Sequence, residues 1–169
     1  QGPPAGNSLS KNIDSYQEAF DLLFKSVVHT TSLVIPGMQK NKWGRIINVT
    51  SVSVKEPLNY LVLSNSIRSA VVAWAKSLSV DLGPDGITVN SILTGYFDTE
   101  RIKELNKEKS KSLNISEAEV LDKMKSLVPA SRLGTPEEYG YLVSFLSSDN
   151  AAYINGASIP IDGGLLKSY

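Results

Sequence analysis

The chain has 169 residues, 41% of them hydrophobic, with 17 Lys and Arg balanced by 17 Asp and Glu and no Cys. That length suits one domain burying about two-thirds of its unfolded surface, and the composition excludes intrinsic disorder, a disulfide framework and a thiolate metal site. Zero net charge argues against nucleic acid as the main partner, and no apolar run approaches the ~18 residues of a membrane span.

Residues 1–12 (QGPPAGNSLSKN) read as a loop. Asp14 or Ser15 is the expected cap of a helix starting near Tyr16, with Phe20, Leu23, Phe24, Val27 and Val28 on one face. The pattern runs towards Met38, and Pro36 is expected to bend or end it. After Gly44, the β-branched run 45–51 reads as a buried strand. A second helix is expected over 58–82, with Val71, Trp74, Ala75, Leu78 and Leu82 inward and Gly83-Pro84 as its stop. Residues 87–93 read as the next strand, with Gly95 at its carboxyl end. Residues 99–127 read as two amphipathic helices, the second capped by Ser116 with Glu119 three residues on. Thr135-Pro136-Glu137-Glu138 starts a helix that runs to about Ser147. Residues 157–161 form a last strand before Asp162-Gly163-Gly164.

Alternating strands and helices imply a single α/β domain over 1–169, a parallel sheet of about three strands with right-handed crossovers. Ligands of such sheets sit outside the carboxyl ends of the strands, here Thr50-Ser51, Thr94-Gly95-Tyr96 and Asp162-Gly163. Ser51 is either a hydroxyl delivered to a ligand or a strand terminator bonded locally. Ser64 and Arg68, four residues apart, share a helix face that reads equally as solvated surface. His29, the single histidine, reads as a surface residue. No Gly-x-Gly occurs, so neither a dinucleotide fingerprint nor a P-loop is present. The charges of 100–125 fit a solvated face or a lid.

The runs GRIINVTSVSVKEP, GITVNSILTGYFDT and RLGTPEEYGYLVSFLSSDNAAYINGASIPIDGG, with helix 64–82 between the first two, resemble the carboxyl-terminal half of a short-chain dehydrogenase/reductase. The resemblance implies a Rossmann-like three-layer fold, NAD or NADP as cofactor, and hydride transfer at a carbonyl or alcohol carbon, as in 3-oxoacyl reductases. The opening GPPAG is similar to the segment after the family's fourth strand. The first four strands and the glycine-rich cofactor loop are therefore expected to lie outside these residues, leaving the chain alone a poor dinucleotide binder and an inactive fragment.

Ser51 matches the family's catalytic serine. The tyrosine position falls on Ser64, the lysine position on Arg68, and the helical asparagine, counted back without a gap, on Leu23. The family's Pro-Gly is Thr94-Gly95 here. A serine hydroxyl is a far weaker acid than a phenol, and a guanidinium keeps the charge of Lys without being able to deprotonate. Lys55-Glu56-Pro57 and Leu63-Ser64-Asn65-Ser66-Ile67-Arg68 resemble a divergent branch of the family. If such a branch keeps its chemistry, the substitute proton donors are Tyr96 or Lys55, with Tyr60 behind them. The resemblance further implies that Arg68, Thr94, Gly95 and Thr99 line the nicotinamide site and that 99–127 form a substrate lid. The partners expected are a small carbonyl or alcohol substrate and a second copy, as a homodimer or homotetramer, in the cytoplasm. The competing reading is a non-catalytic ligand-binding or regulatory protein that keeps the fold, or an assembly module pairing helices 14–39 and 58–82.

Overall fold

Gly6 donates its N–H to the Tyr60 carbonyl at 2.7 Å and accepts from Val62, a short parallel bridge that ties the entry loop to the middle of the chain. The computed structural model describes residues 2–168, so Gln1 of that loop and Tyr169 lie outside the described residues. Asn12, rather than Asp14 or Ser15, caps the first helix, α1 (Ile13–Phe20). Its carboxamide oxygen accepts the Ser15 N–H at 3.0 Å, which moves Asp14 into the first turn, a favourable place for a negative charge.

A π turn over Asp21–Lys25 follows, then α2 (Ser26–Asn41). The apolar stripe runs through that turn: Leu23, Phe24, Val27 and Val28 are half-buried, Phe20 stacks on Phe24 at 5.1 Å, and Leu22 off the stripe is exposed. Pro36 does not end α2. Ile35 and Met38 pack on the core on either side of it, and this burial carries the helix on to Asn41.

β1 (Gly44–Val49) stops two residues short of the expected strand, because Ser51 already starts a 3₁₀ turn over Val52–Val54. α3 (Val62–Leu82) begins four residues late. Residues 58–61 form a turn instead, in which Leu61 N–H and the Asn65 amide both donate to the Leu58 carbonyl, at 2.9 and 2.8 Å. β2 (Ile87–Thr94), α4 (Glu100–Leu113), α5 (Glu117–Ser126), α6 (Pro136–Leu146) and β3 (Ser158–Ile161) follow the expected order. Both expected capping boxes, Ser116 with Glu119 and Thr135 with Glu138, are formed.

The strands pair in the order β1-β2-β3, all parallel, with Gly44 opposite Ile87 and Ser91 opposite Ser158. β2 is buried along its whole length except Thr94, as a central strand covered on both faces should be. On one face Ile46, Val89 and Ile87 meet Ala75 and Leu82 of α3, with Ile35 and Met38 of α2 against them. On the other, Ile92 packs on Leu146 of α6 and on Ala151. The three layers bring all three strand carboxyl ends to one edge. No helix among the described residues is long and apolar enough to cross a membrane.

The start of α6 has a pH signature. Arg132 donates two N–H bonds to the Glu138 carboxylate, at 2.8 and 2.6 Å, and Thr135 N–H adds a third. The Arg132 bonds first, then that of Thr135, lower the Glu138 pKa from 4.5 to about 2. A depressed carboxyl pKa contributes stability that is complete above the unfolded value and is lost as pH falls through the folded one. The stability gap between the wild type and Glu138→Gln is therefore expected to be constant near neutrality and to close between pH 4.5 and about 2, read by urea denaturation. The pair is exposed, so added salt should shrink the gap.

Candidate active site

Thr50 and Ser51 end β1 in different ways. Thr50 is buried, and both its N–H and its hydroxyl donate to the Ile92 carbonyl at 2.9 Å, so it serves the sheet. Ser51 is half-buried with extended backbone, and its Oγ accepts the Ser53 N–H at 3.1 Å. That bond caps the 3₁₀ turn and uses only a lone pair. Among the described residues the Ser51 proton has no acceptor, so the hydroxyl is fixed in place yet free to donate.

On α3, the Arg68 Nε–H donates to Ser64 Oγ at 3.1 Å, and Nη1 donates to the Val49 carbonyl at 2.8 Å. The face that could have been solvated surface is thus turned onto the carboxyl end of β1. Burial pulls the Arg68 pKa below its ordinary value, but a guanidinium remains charged across the physiological range. Its Nη2 protons remain for a ligand, and Ser64 keeps its own proton to donate.

Two cavities open along this edge. One, of about 610 Å³, has a mixed polar and apolar wall that includes Thr50, Ser51, Ser64, Arg68, Thr94, Gly95 and Arg101. The second, of about 450 Å³, is mostly apolar and runs under α4 and α5 past Tyr60 and Tyr96. Ser51, Leu61, Thr94, Gly95 and Leu105 line both, so the serine hydroxyl stands where the two meet.

Not every expected residue joins them. Thr99 is exposed and lines neither cavity; as the cap of α4 its Oγ accepts the Ile102 N–H at 3.4 Å, so the helix uses the hydroxyl. Lys55 is exposed at the end of the 3₁₀ turn, outside both cavities. Leu23 lies in the π turn and also lines neither. His29 is exposed, as expected. Burial raises the pKa of Tyr60 and of Tyr96, the latter also through its neighbour Tyr60, so both phenols hold their protons at neutral pH.

Tyr139 on α6 was not visible from spacing. Its phenol is 3.1 Å from Thr94 Oγ1, and its ring meets Phe97 edge-on at 5.3 Å. Burial raises its pKa, opposed by the Thr94 bond and by the charge of Arg68. The only hint in the sequence was a threonine where the family carries proline, which leaves a hydroxyl to be bonded beneath the cavity floor.

A family model described as enoyl-(acyl carrier protein) reductase matches residues 2–166. The NADPH-dependent reductase BacG of Bacillus subtilis (strain 168) is 34% identical over 131 residues, 78% of this chain and 51% of that protein. The 3-oxoacyl-[acyl-carrier-protein] reductase FabG of Pseudomonas aeruginosa is 30% identical over 159 residues, 92% of this chain and 58% of that protein. Among solved structures, YwfH, an NADPH-dependent reductase involved in bacilysin biosynthesis, superposes with a TM-score of 0.94 at 28% identity, over 100% of this chain and 65% of that one. L-sorbose reductase from Gluconobacter frateurii, complexed with NADPH and L-sorbose, gives 0.92 at 26% identity, again over 100% and 65%. The chain spans about half the length of the curated relatives it matches.

Proposed function

The chain belongs to the short-chain dehydrogenase/reductase family, and from that membership we propose that the protein is an NAD(P)-dependent oxidoreductase interconverting a carbonyl and a hydroxyl. The observation that carries this reading is the position of Ser51, a directed hydroxyl where a cavity of mixed polarity meets a mostly apolar one. A reaction that joins a nucleotide-bound ring to an apolar carbonyl compound needs its oxygen ligand at that junction.

The residues present fit the nicotinamide end of a dinucleotide. Arg68 has N–H groups left after bonding Ser64 and Val49, Ser64 can donate to a ribose oxygen, and Thr94 and Gly95 form the wall. When bound, the nicotinamide supplies or takes up the hydride. The chain's own residues do the rest. Ser51 donates to the carbonyl oxygen and holds it against the cavity junction. Tyr96, in the same apolar cavity and still protonated at neutral pH, is the proton donor in place of Lys55, which stands outside. Arg68 keeps positive charge beside the ribose without itself exchanging protons. As part of the same proposal the protein self-associates, since Leu33 and Val34 of α2 present exposed apolar side chains.

The test is dinucleotide oxidation by the protein purified at its full natural length over a carbonyl panel, with Tyr96→Phe in parallel. Turnover that falls at least about 100-fold in Tyr96→Phe, with dinucleotide binding retained, is the expected result for loss of a positioned acid. Tight NAD(P)H binding with no turnover on any carbonyl would favour the non-catalytic reading.

A further inference from the structure

We propose that the second cavity selects carbonyl compounds with an apolar body and rejects polyhydroxylated ones. This rests on the reading of Ser51 as the oxygen ligand. The polar groups of the cavity are segregated. Ser51 and Thr94 stand at the inner end, where it joins the first cavity, while Glu108, Lys109 and Ser112 come from the exposed outer part of α4. The apolar wall includes Leu58, Leu105, Leu113 and Met124, with the two tyrosines Tyr60 and Tyr96.

The lysine at the outer part of α4 faces a ring. Lys109 Nζ sits 5.7 Å from the Tyr60 ring centroid, within cation–π range, so it also orders the phenol. No amide side chain is among its lining residues, and the one carboxylate, Glu108, is exposed on α4. A sugar placed with its carbonyl on Ser51 would set several of its remaining hydroxyls against leucine and methionine, which offer no hydrogen bond to replace water. An apolar body gains there instead, because every wall atom it covers leaves water. The volume of about 450 Å³ lies in the range of small-molecule sites.

The experiment measures binding rather than turnover, so it is read separately from the oxidoreductase proposal. Three probes are titrated into the purified protein by saturation-transfer NMR and calorimetry: 1-tetralone, 3-oxooctanoyl-N-acetylcysteamine and L-sorbose. The expected result is binding of one or both apolar carbonyls, on the order of 100-fold tighter than L-sorbose, as unpaired buried hydroxyls are costly. Which of the two binds more tightly tells a free ring ketone from an acyl thioester. Met124→Gln on α5 and Leu113→Gln at the exposed end of α4 should each weaken the apolar probes about tenfold, since both put an amide where a ligand is apolar. Met and Gln have similar helix propensity, and Leu113 is half exposed, so circular dichroism should show both variants folded. L-sorbose binding as tightly as the apolar probes, or apolar binding unmoved by both substitutions, overturns the proposal. Apolar binding without turnover of any carbonyl keeps the pocket and overturns the oxidoreductase reading. Turnover of L-sorbose without apolar binding does the reverse.

Discussion

Ser51→Ala is expected to lower kcat/KM for carbonyl reduction by about 100- to 1,000-fold, the usual cost of removing one fixed hydrogen-bond donor from a reacting oxygen. The structural cost should be far smaller. Ser51 Oγ accepts one N–H, from Ser53, and losing that cap contact is worth about 1 kcal/mol. The two effects therefore separate: unfolding by urea shifts slightly while turnover falls by orders of magnitude. Ser51→Thr keeps the hydroxyl and should recover part of the rate. A well-folded Ser51→Ala with unchanged kcat/KM would mean that another group holds the oxygen, and the junction of the two cavities would lose its chemical meaning.

The parts of the fold legible in the sequence are those fixed by neighbours along the chain. Thr135-Pro136-Glu137-Glu138 and Ser116 with Glu119 bond within four residues, and both capping boxes form as expected. Residues 87–93 read as a strand because β-branched side chains suit a covered sheet, and all of them are buried. Where a distant contact decides, the local reading fails. Pro36 ends an isolated helix, but Ile35 and Met38 bury against β1, α3 and β2 and hold α2 past it. The late start of α3 depends on the Asn65 amide reaching back to Leu58.

The candidate site divides along the same line. Spacing alone put Ser64 and Arg68 on one helix face and could not say whether that face was wet. The family resemblance supplied the direction, and the Arg68 bond to Val49, nineteen residues back, carries it in the structure. Thr99 was carried over from the family pattern, but its side chain answers to the α4 backbone instead. Tyr139 bonds Thr94 across 45 positions, and no pattern within a helix or strand encodes such a contact.

Gly95 gives a large expected stability effect for the addition of a single methyl group. A Cβ at this position would lie 2.6 Å from both Cα and Cβ of Asp162, and the Gly95 N–H donates to the Ile161 carbonyl at 3.0 Å. The obstacle is backbone at the end of β3, so no side-chain rotation relieves it. Gly95→Ala must push β2 and β3 apart at their carboxyl ends, and overpacking of this kind costs about 3 kcal/mol, towards the upper end of its usual range. For a domain of this size that is a fall in melting temperature of roughly 6–12 °C. The damage should spread to the chain end, because Asp162 accepts the N–H groups of Gly164 and Leu166. It should also reach both cavities, which Gly95 lines, and weaken binding of 1-tetralone. Gly134→Ala meets the ring of Phe97, at 2.6 Å, and a side chain can move aside, so its cost should be smaller. Gly140→Ala is the control. Inside α6 with nothing within 4 Å, it should be neutral or stabilise by up to about 1 kcal/mol. The order Gly140, Gly134, Gly95 in melting temperature, highest first, is the outcome this packing requires. Gly95→Ala melting with the wild type would show that the ends of β2 and β3 do not meet as closely as the pairing of Thr94 with Ile161 demands.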